Sequence, residues 1–472
     1  MGSSHSSPLS QCLVSAVGSA NVALPSNPFY KLSDVHQYNL DIAVSPVAVT
    51  YPNTAQQVAA IVKCAGSSYK VQAKGGGHSY ANYAYGGGDT NTIVVDLKNF
   101  QGFSMDNTTW TASIGAGTRL ADVTSKLLSA GDRAIAHGTC PDVGVGGHAT
   151  MGGLGPASRM WGSAMDHVVE VEVVLADGSI INANPTENSE VFWAMKGAGA
   201  SFGIVTNFKF KTHPAPGVAI QYSYTFSGRP YAKLAPRFKA WQAMISDPNL
   251  SRNLASEVVI LEIGMIISGT FFGTEAQFEA LNLTSIFPDH TNASVVVFND
   301  FGGLVLNWAE TLGLQAADTL PSNFYSKNLA FTPKTLIPDA TVDEFFQYLD
   351  TVGKGTLIWF AIFDVEGGAI NDIPGNATAY GHRDALFYMQ TYAVDLLKVS
   401  DTTRAFITGM NDIMTAAFPD ETLGAYAGYV DPALADPQAR YYQGNLAQLE
   451  AYKAKFDPGD VFHNPQSIRP AS

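Results

Sequence analysis

The sequence predicts an α+β fold of two domains: a two-part α/β domain interrupted by an inserted α+β domain built on an antiparallel sheet. Three observations predict it. Through about residue 215, short β-like runs alternate with amphipathic helical patterns. From about Gly217 the texture changes to strands of alternating aromatic and aliphatic residues, VAIQYSYTF, SEVVILEIGM and GTLIWFAIFDV, separated by helical pieces. That is the pattern of an antiparallel sheet with helices on one face. The C-terminal stretch YYQGNLAQLEAYKAKFDPGDVFHNPQSIRP reads as a helix and a proline-punctuated tail, expected to return to the first domain. The expected parts are 1–215, 216–424 and 425–472.

Each element has a local reason. VTYPNTAQQVAAIVKCAG reads as an extended segment, an Asn/Thr cap and an amphipathic helix. KVQAK and TIVVDL read as strands, and TASIGAGTRLADVTSKLLSAG as a strand, a glycine turn and a helix closed by Gly131. VVEVEVVLADGSIINA predicts a hairpin turning at Asp177–Gly178. SFGIVTNFKFKTHP predicts a further strand stopped by Pro214. No fixed-period repeat, low-complexity tract or long linker interrupts the pattern.

The chain has 472 residues, enough for two or three domains with sizeable cores. Its 46% apolar and 14% charged residues exclude a disordered chain. No apolar run reaches the ~18 residues of a membrane span. A formal net charge of -14 argues against nucleic-acid or anionic-membrane partners. The N-terminus, MGSSHSSPLSQ, lacks the apolar core of a signal peptide and reads as a leader in place of a targeting segment. Sequons at Asn107, Asn249, Asn282, Asn292 and Asn376 are about what chance places in such a chain, so they argue little for secretion. The three cysteines, Cys12, Cys64 and Cys140, leave two readings open. In an oxidising compartment two can pair and one remain for chemistry; otherwise all three are buried thiols acting as small hydrophobes.

Two glycine-rich stretches carry the functional signal. The first, QAKGGGHSYANYAYGGG, places Gly75, Gly76 and Gly77 after a strand, where bare backbone can approach a phosphate and adopt positive φ. No Gly-Lys-Ser/Thr follows, which excludes a Walker A loop, and no correctly spaced G-x-G-x-x-G opens a helix, which disfavours a nicotinamide cofactor. The second, HGTCPDVGVGGH, sets Cys140 among small residues and continues as ATMGGLGPASRMWG. Two weakly charged glycine loops suit a large, flat, diphosphate-bearing cofactor; singly, each reads equally as a tight turn. His78, His137 and His148 invite a metal reading, but no carboxylates recur at ligand spacing, so none is expected.

Taken together, KGGGHSY and HGTCPDVGVGGH resemble the flavoproteins with a vanillyl-alcohol-oxidase-type (PCMH-type) FAD domain. Within these the chain is similar to the berberine-bridge-enzyme-like branch, most closely the fungal gluco-, chito- and xylo-oligosaccharide oxidases. VVLADGSI, NSEVFWAMKGAGASFGIVTNFKF, AYGHRD and the terminal YYQGNL and FDPGDVFHNPQSI extend the resemblance along nearly the whole chain.

The resemblance implies FAD bonded covalently to His78 and Cys140, and a structural disulfide between Cys12 and Cys64. It places Gly75, Gly76, Gly77, Ser79, Val143, Gly144, Gly147, His148, Gly153, Ile204, Tyr442 and Asn445 around the flavin. It makes Tyr429 the base and Asp364 its partner, a relay in which the carboxylate takes the phenol's proton. On pattern alone the reading of Tyr429 as a packed aromatic and Asp364 as a strand-end acid is favoured, and the resemblance reverses it. Tyr80, Glu262, Phe360 and Ile362 are the expected substrate contacts, with core packing as the plain alternative for Tyr80 and Glu262. Ile362 replaces a Gln and Phe360 a Trp that such oxidases can carry, and Met160 and Trp161 also depart from the pattern; these departures raise the prospect of a less polar substrate. Val143 is small enough to leave O2 room, which favours an oxidase. The implied reaction oxidises the reducing-end C1 hydroxyl of an oligosaccharide to a lactone with reduction of O2 to H2O2. The alternatives are a secondary-metabolite alcohol or phenolic as substrate, or a non-catalytic flavin-retaining protein. The implied partners are a small carbohydrate and O2, with no nucleic acid and no membrane; the expected protein is a secreted monomer.

Overall fold

The computed structural model describes residues 7–311 and 321–471. Strands and helices follow the periodicities of the sequence. The first part holds a four-stranded sheet ordered Val22–Ala23, Ala48–Thr50, Thr92–Asp96, Lys70–Lys74, whose last three strands run parallel. Beside it lies a five-stranded antiparallel sheet ordered Phe103–Asp106, Thr111–Gly115, Ile204–Lys211, Val168–Val174, Ile180–Ala183. The last two strands are the hairpin of VVEVEVVLADGSIINA, turning at Asp177–Gly178 with Gly178 at φ +77. Helix Ala55–Ala65 is capped by Thr54, whose hydroxyl accepts from the Gln57 N–H. Its buried face, Val58, Ile61 and Val62, joins Ile93, Ile114 and Phe208 in one core. Cys12 and Cys64 are bonded, tying helix Pro8–Val17 to this helix.

The C-terminal helix Leu446–Phe456 packs into the same core through Leu449. Lys453, fully buried, donates to the carbonyls of Ser201 and Phe462 at 2.7 and 2.9 Å and pairs with Asp457 at 2.6 Å. The Val71 N–H donates to the Val461 carbonyl at 2.8 Å. A buried ammonium needs this full set of acceptors.

The middle part is a seven-stranded antiparallel sheet ordered Asn292–Phe298, Ala219–Ser227, Gly264–Phe271, Glu257–Leu261, Ile358–Val365, Phe387–Asp395, Asn323–Phe331. Helices Ala235–Ile245, Asp339–Thr351 and Asp401–Ala416 cover one face, where Phe238, Trp241, Phe346 and Phe406 meet Tyr222, Tyr224, Trp359 and Phe363. Alternate residues of the same strands turn the other way and roof a cavity.

Two expectations need correction. SEVVILEIGM is two strands, because Gly264 sits at φ +143 and pairs with Leu261, making Glu262 and Ile263 a turn. A Cβ at Gly264 would lie 2.2 Å from the Phe226 carbonyl oxygen, so the close approach requires glycine. The other strand ends at Lys211, ahead of Pro214, which pairs with Arg133 in a separate two-residue ladder.

Candidate active site

The cavity measures about 690 Å³ and lies between the glycine loops below and the seven-stranded sheet above. The loops touch backbone to backbone: a Cβ on Gly76 would sit 2.3 Å from the Gly144 nitrogen, and one on Gly144 2.1 Å from the Gly76 nitrogen. Above Gly147 nothing lies within 4 Å of a Cβ position, so this part of the floor is open. Gly75, Gly76, Gly77, His78, Ser79, Val143, Gly144, Gly147, His148 and Tyr442 all line the cavity, and so does Cys140, half-buried.

His78 and Cys140 thus face one space from opposite loops. Burial, then the charges of Arg119 and Lys74 working against Asp142, pushes the His78 imidazole down to about 4, so it is neutral at neutral pH. A neutral imidazole keeps the free nitrogen lone pair from which it can bond to an electrophilic ring. His148 is pushed down to about 3 by burial and then by His137, and its Nε2 accepts from the Gly138 N–H at 3.0 Å. His137 bonds Thr124 Oγ1 at 2.8 Å. Both rings therefore brace the Cys140 loop. Among the described residues no group of three or more His, Cys, Asp or Glu is placed to hold a metal ion.

On the roof, Tyr429 and Asp364 come together. Tyr429 sits in the 3-10 turn Ala427–Tyr429, held where Asn328 Nδ2 donates to the Tyr429 carbonyl at 2.6 Å and Asn328 Oδ1 accepts from the Tyr426 N–H at 2.6 Å. The Tyr429 hydroxyl donates to Asp364 Oδ2 at 3.1 Å. Burial first, then the Asp364 charge, raises Tyr429 well above the ordinary phenol range. Burial and then Glu257 push Asp364 up to about 7, against the pull of the Tyr429 hydrogen bond. Tyr80, Phe360 and Ile362 also line the cavity, with Gln390 Nε2 donating to the Tyr80 hydroxyl at 2.8 Å.

Four expected residues lie elsewhere. Glu262, in the hairpin turn, points away from the cavity, pairing with Arg229 and accepting from Trp359 Nε1 at 2.9 Å. Asn445 Nδ2 ties down the carbonyls of Gly375 and Thr378 at 2.8 and 3.1 Å. Ile204 is buried in the first core, while its neighbours Gly203 and Val205 line the cavity. Gly153 has its N–H on the Tyr426 hydroxyl at 2.9 Å and leaves Leu154 and Gly155 to line the wall. Sequence reasoning missed Glu257, Glu366 and Gln390, all on the wall. Strand parity was the available signal: Glu257, Val259 and Leu261 share the face that Glu262, in the turn, does not.

A cavity floored by touching glycine backbones, with a neutral His and a Cys facing across it and a Tyr–Asp pair overhead, defines a flavin-dependent oxidoreductase. The comparisons agree. Residues 46–184 match the model of an FAD binding domain, and residues 425–469 that of berberine and berberine-like proteins. The chain is 42% identical over 98% of both chains to the FAD-linked oxidoreductase sorD of Penicillium rubens. The solved xylooligosaccharide oxidase from Myceliophthora thermophila, in complex with xylobiose, superposes with a TM-score of 0.89 at 30% identity, covering 99% of this chain and all of that one. A structure of the glucooligosaccharide oxidase of Acremonium strictum, an enzyme with a 6-S-cysteinyl, 8α-N1-histidyl FAD, gives a TM-score of 0.87 at 29% identity over 99% of this chain and all of that one. This chain belongs to the berberine-bridge-enzyme-like family of FAD-dependent oxidoreductases, whose fungal members include the oligosaccharide oxidases.

Proposed function

We propose that this flavoenzyme oxidises a hydroxyl-bearing carbon, with the reducing-end C1 hydroxyl of an oligosaccharide as its substrate and O2 as its acceptor. The observation that carries the reading is the Tyr429 hydroxyl 3.1 Å from Asp364 Oδ2, on the wall of the cavity that His78 and Cys140 line. His78 and Cys140 would hold the flavin covalently, a reading supported by the doubly linked FAD of the Acremonium enzyme. FAD, held by His78 and Cys140, would supply the two-electron acceptor of an oxidase that uses O2. The chain's own residues handle the proton. Tyr429 is a poor base alone, since its phenolate is disfavoured by burial and by Asp364. It works as a relay: its oxygen receives the substrate's proton as its own passes to Asp364. The lactone formed hydrolyses in water to an aldonic acid. The Cys12–Cys64 disulfide supports an oxidising compartment, and we read the enzyme as a secreted monomer with its five sequons exposed.

A second substrate reading rests on the roof. Val259 pairs with Ile266 and Ile362, and Leu261 with Phe360, so a contiguous apolar strip faces the cavity. That strip suits an alcohol or phenol less polar than a sugar. Anaerobic addition of cellobiose, xylobiose and a panel of benzylic alcohols separates the two. Bleaching by sugars supports the carbohydrate reading; bleaching by the aromatic alcohols alone moves the substrate to the second.

A further inference from the structure

We infer that Glu257 and Asp364 work as one acid pair that takes up the substrate's proton, with Glu257 a positioning residue acting through Asp364. This rests on the relay proposed above. The geometry is a row across the roof. Glu257 and Asp364 are opposite one another in the antiparallel ladder, both on the cavity face. Opposed residues in such a ladder have Cβ atoms about 5 Å apart, so the two carboxyls share one site. Beyond Glu257 the row continues to Ser268, whose hydroxyl donates to Glu257 Oε1 at 2.9 Å, and in the next strand to its partner Ser223. On the other side of Asp364 stands Tyr388, tied to Tyr380 by a 2.7 Å hydroxyl contact.

The acidic groups that face the pair make its full ionisation costly, with one cation working against them. Glu366, two residues on from Asp364 along the same chain, is buried, with its Oε2 lacking a hydrogen-bond partner. Arg159, from helix Ser158–Trp161, directs its N–H groups to the carbonyls of Leu254, Glu366 and Ser251 and partly offsets the Glu366 charge. Tyr429 is the hydrogen-bonded neighbour, and Tyr80 bears on Tyr429 from the floor side. Burial raises Glu257, Asp364 and Glu366 alike. Two carboxyls in one poorly solvated site titrate as a pair, with one proton retained well into the neutral range. That retained proton leaves the other carboxyl of the pair ionised; with it on Glu257, Asp364 is the base that accepts from Tyr429, while the Ser268 hydrogen bond, which favours ionised Glu257, limits how far Glu257 rises. No bond to carbon is made or broken in this step: one O–H proton moves from substrate oxygen to Tyr429 and one from Tyr429 to Asp364.

The test uses the flavin-loaded protein without substrate first. Infrared titration of the protonated carboxyl stretch is compared for wild type, Glu257→Gln and Ser268→Ala. Glu257→Gln removes the like charge, so the expected result is a carboxyl titration displaced to lower pH by at least about one unit, a tenfold change in acidity. Ser268→Ala removes a donor to the ionised pair, so its titration moves upward. An unchanged titration in both variants overturns the pair. The anaerobic flavin-reduction rate is then followed against pH with whichever sugar or benzylic alcohol bleaches the wild type. Its acid limb moves down with the infrared titration in Glu257→Gln if the pair feeds the relay. A moved infrared titration with an unmoved acid limb keeps the carboxyl coupling but rejects the Tyr429–Asp364 relay. A slower rate with neither titration moved assigns Glu257 a merely structural role and overturns the inference.

Discussion

On the proposed relay, proton removal should show a steep acid limb whose size Asp364 sets. The accepting form is the carboxylate, and burial together with Glu257 pushes Asp364 up to about 7. A raised acid is ionised only as pH climbs through that value. The ionised fraction is then about 0.9 at pH 8 and about 0.01 at pH 5, so the rate of flavin reduction should fall about 90-fold between them. Asp364→Asn keeps the shape and the hydrogen bond to Tyr429 but cannot take its proton. It should slow reduction by roughly 10²–10⁴-fold, the usual worth of a positioned base, and flatten the acid limb. Tyr429→Phe should slow it by a similar factor, and the double variant by little more, because the two act as one relay. Stopped-flow anaerobic reduction across the pH range, monitored by loss of flavin absorbance, makes the measurement. An Asp364→Asn enzyme that keeps both the wild-type rate and its acid limb would refute the reasoning.

Three other outcomes are expected. His78→Ala and Cys140→Ala should each retain flavin through denaturation by the remaining link, and only the double variant should release it, as intact mass reads directly. Val143→Ile should slow reoxidation of the reduced flavin by O2 while leaving anaerobic reduction unchanged, since Val143 lines the cavity three residues from Cys140. Lys453→Met should cost about 3–5 kcal/mol in urea unfolding, because it leaves the fully buried Asp457 and the carbonyls of Ser201 and Phe462 without their ammonium. A loss under about 1 kcal/mol there would mean that the tail docks by its apolar contacts, such as Leu449, alone.

What the sequence made legible, and what it hid, divides along one physical line. Hydrophobic alternation is local, so VAIQYSYTF and GTLIWFAIFDV announced both their strands and their covered faces. Glycines that only bare backbone can satisfy announced the floor, since Gly76 and Gly144 leave no room for side chains. Direction within an element is less forgiving. Moving one residue along a strand swaps core for cavity, which is why Ile204 lies in the core while Gly203 and Val205 meet the cavity. The same parity, with a turn that only Gly264 betrays, put Glu262 on a surface salt bridge and gave the wall to Glu257. Partnerships between distant strands were hidden further still. Nothing near Asp364 in the sequence names Glu257 as its cross-strand neighbour, or Ile362 as the partner of both Val259 and Gln390. Yet those pairings bear on the proposed chemistry. The proposed proton acceptor, Asp364, faces Glu257 from one neighbouring strand, and the residues beside Ile362 come from strands on both sides. A substitution in this sheet is therefore best judged by the residues opposite it in register. By that rule Ile362→Gln, beside Gln390, would add a second amide to the cavity wall and favour sugars, whereas the same change at Ala361 would bury an amide among the helix-facing aromatics and destabilise the sheet.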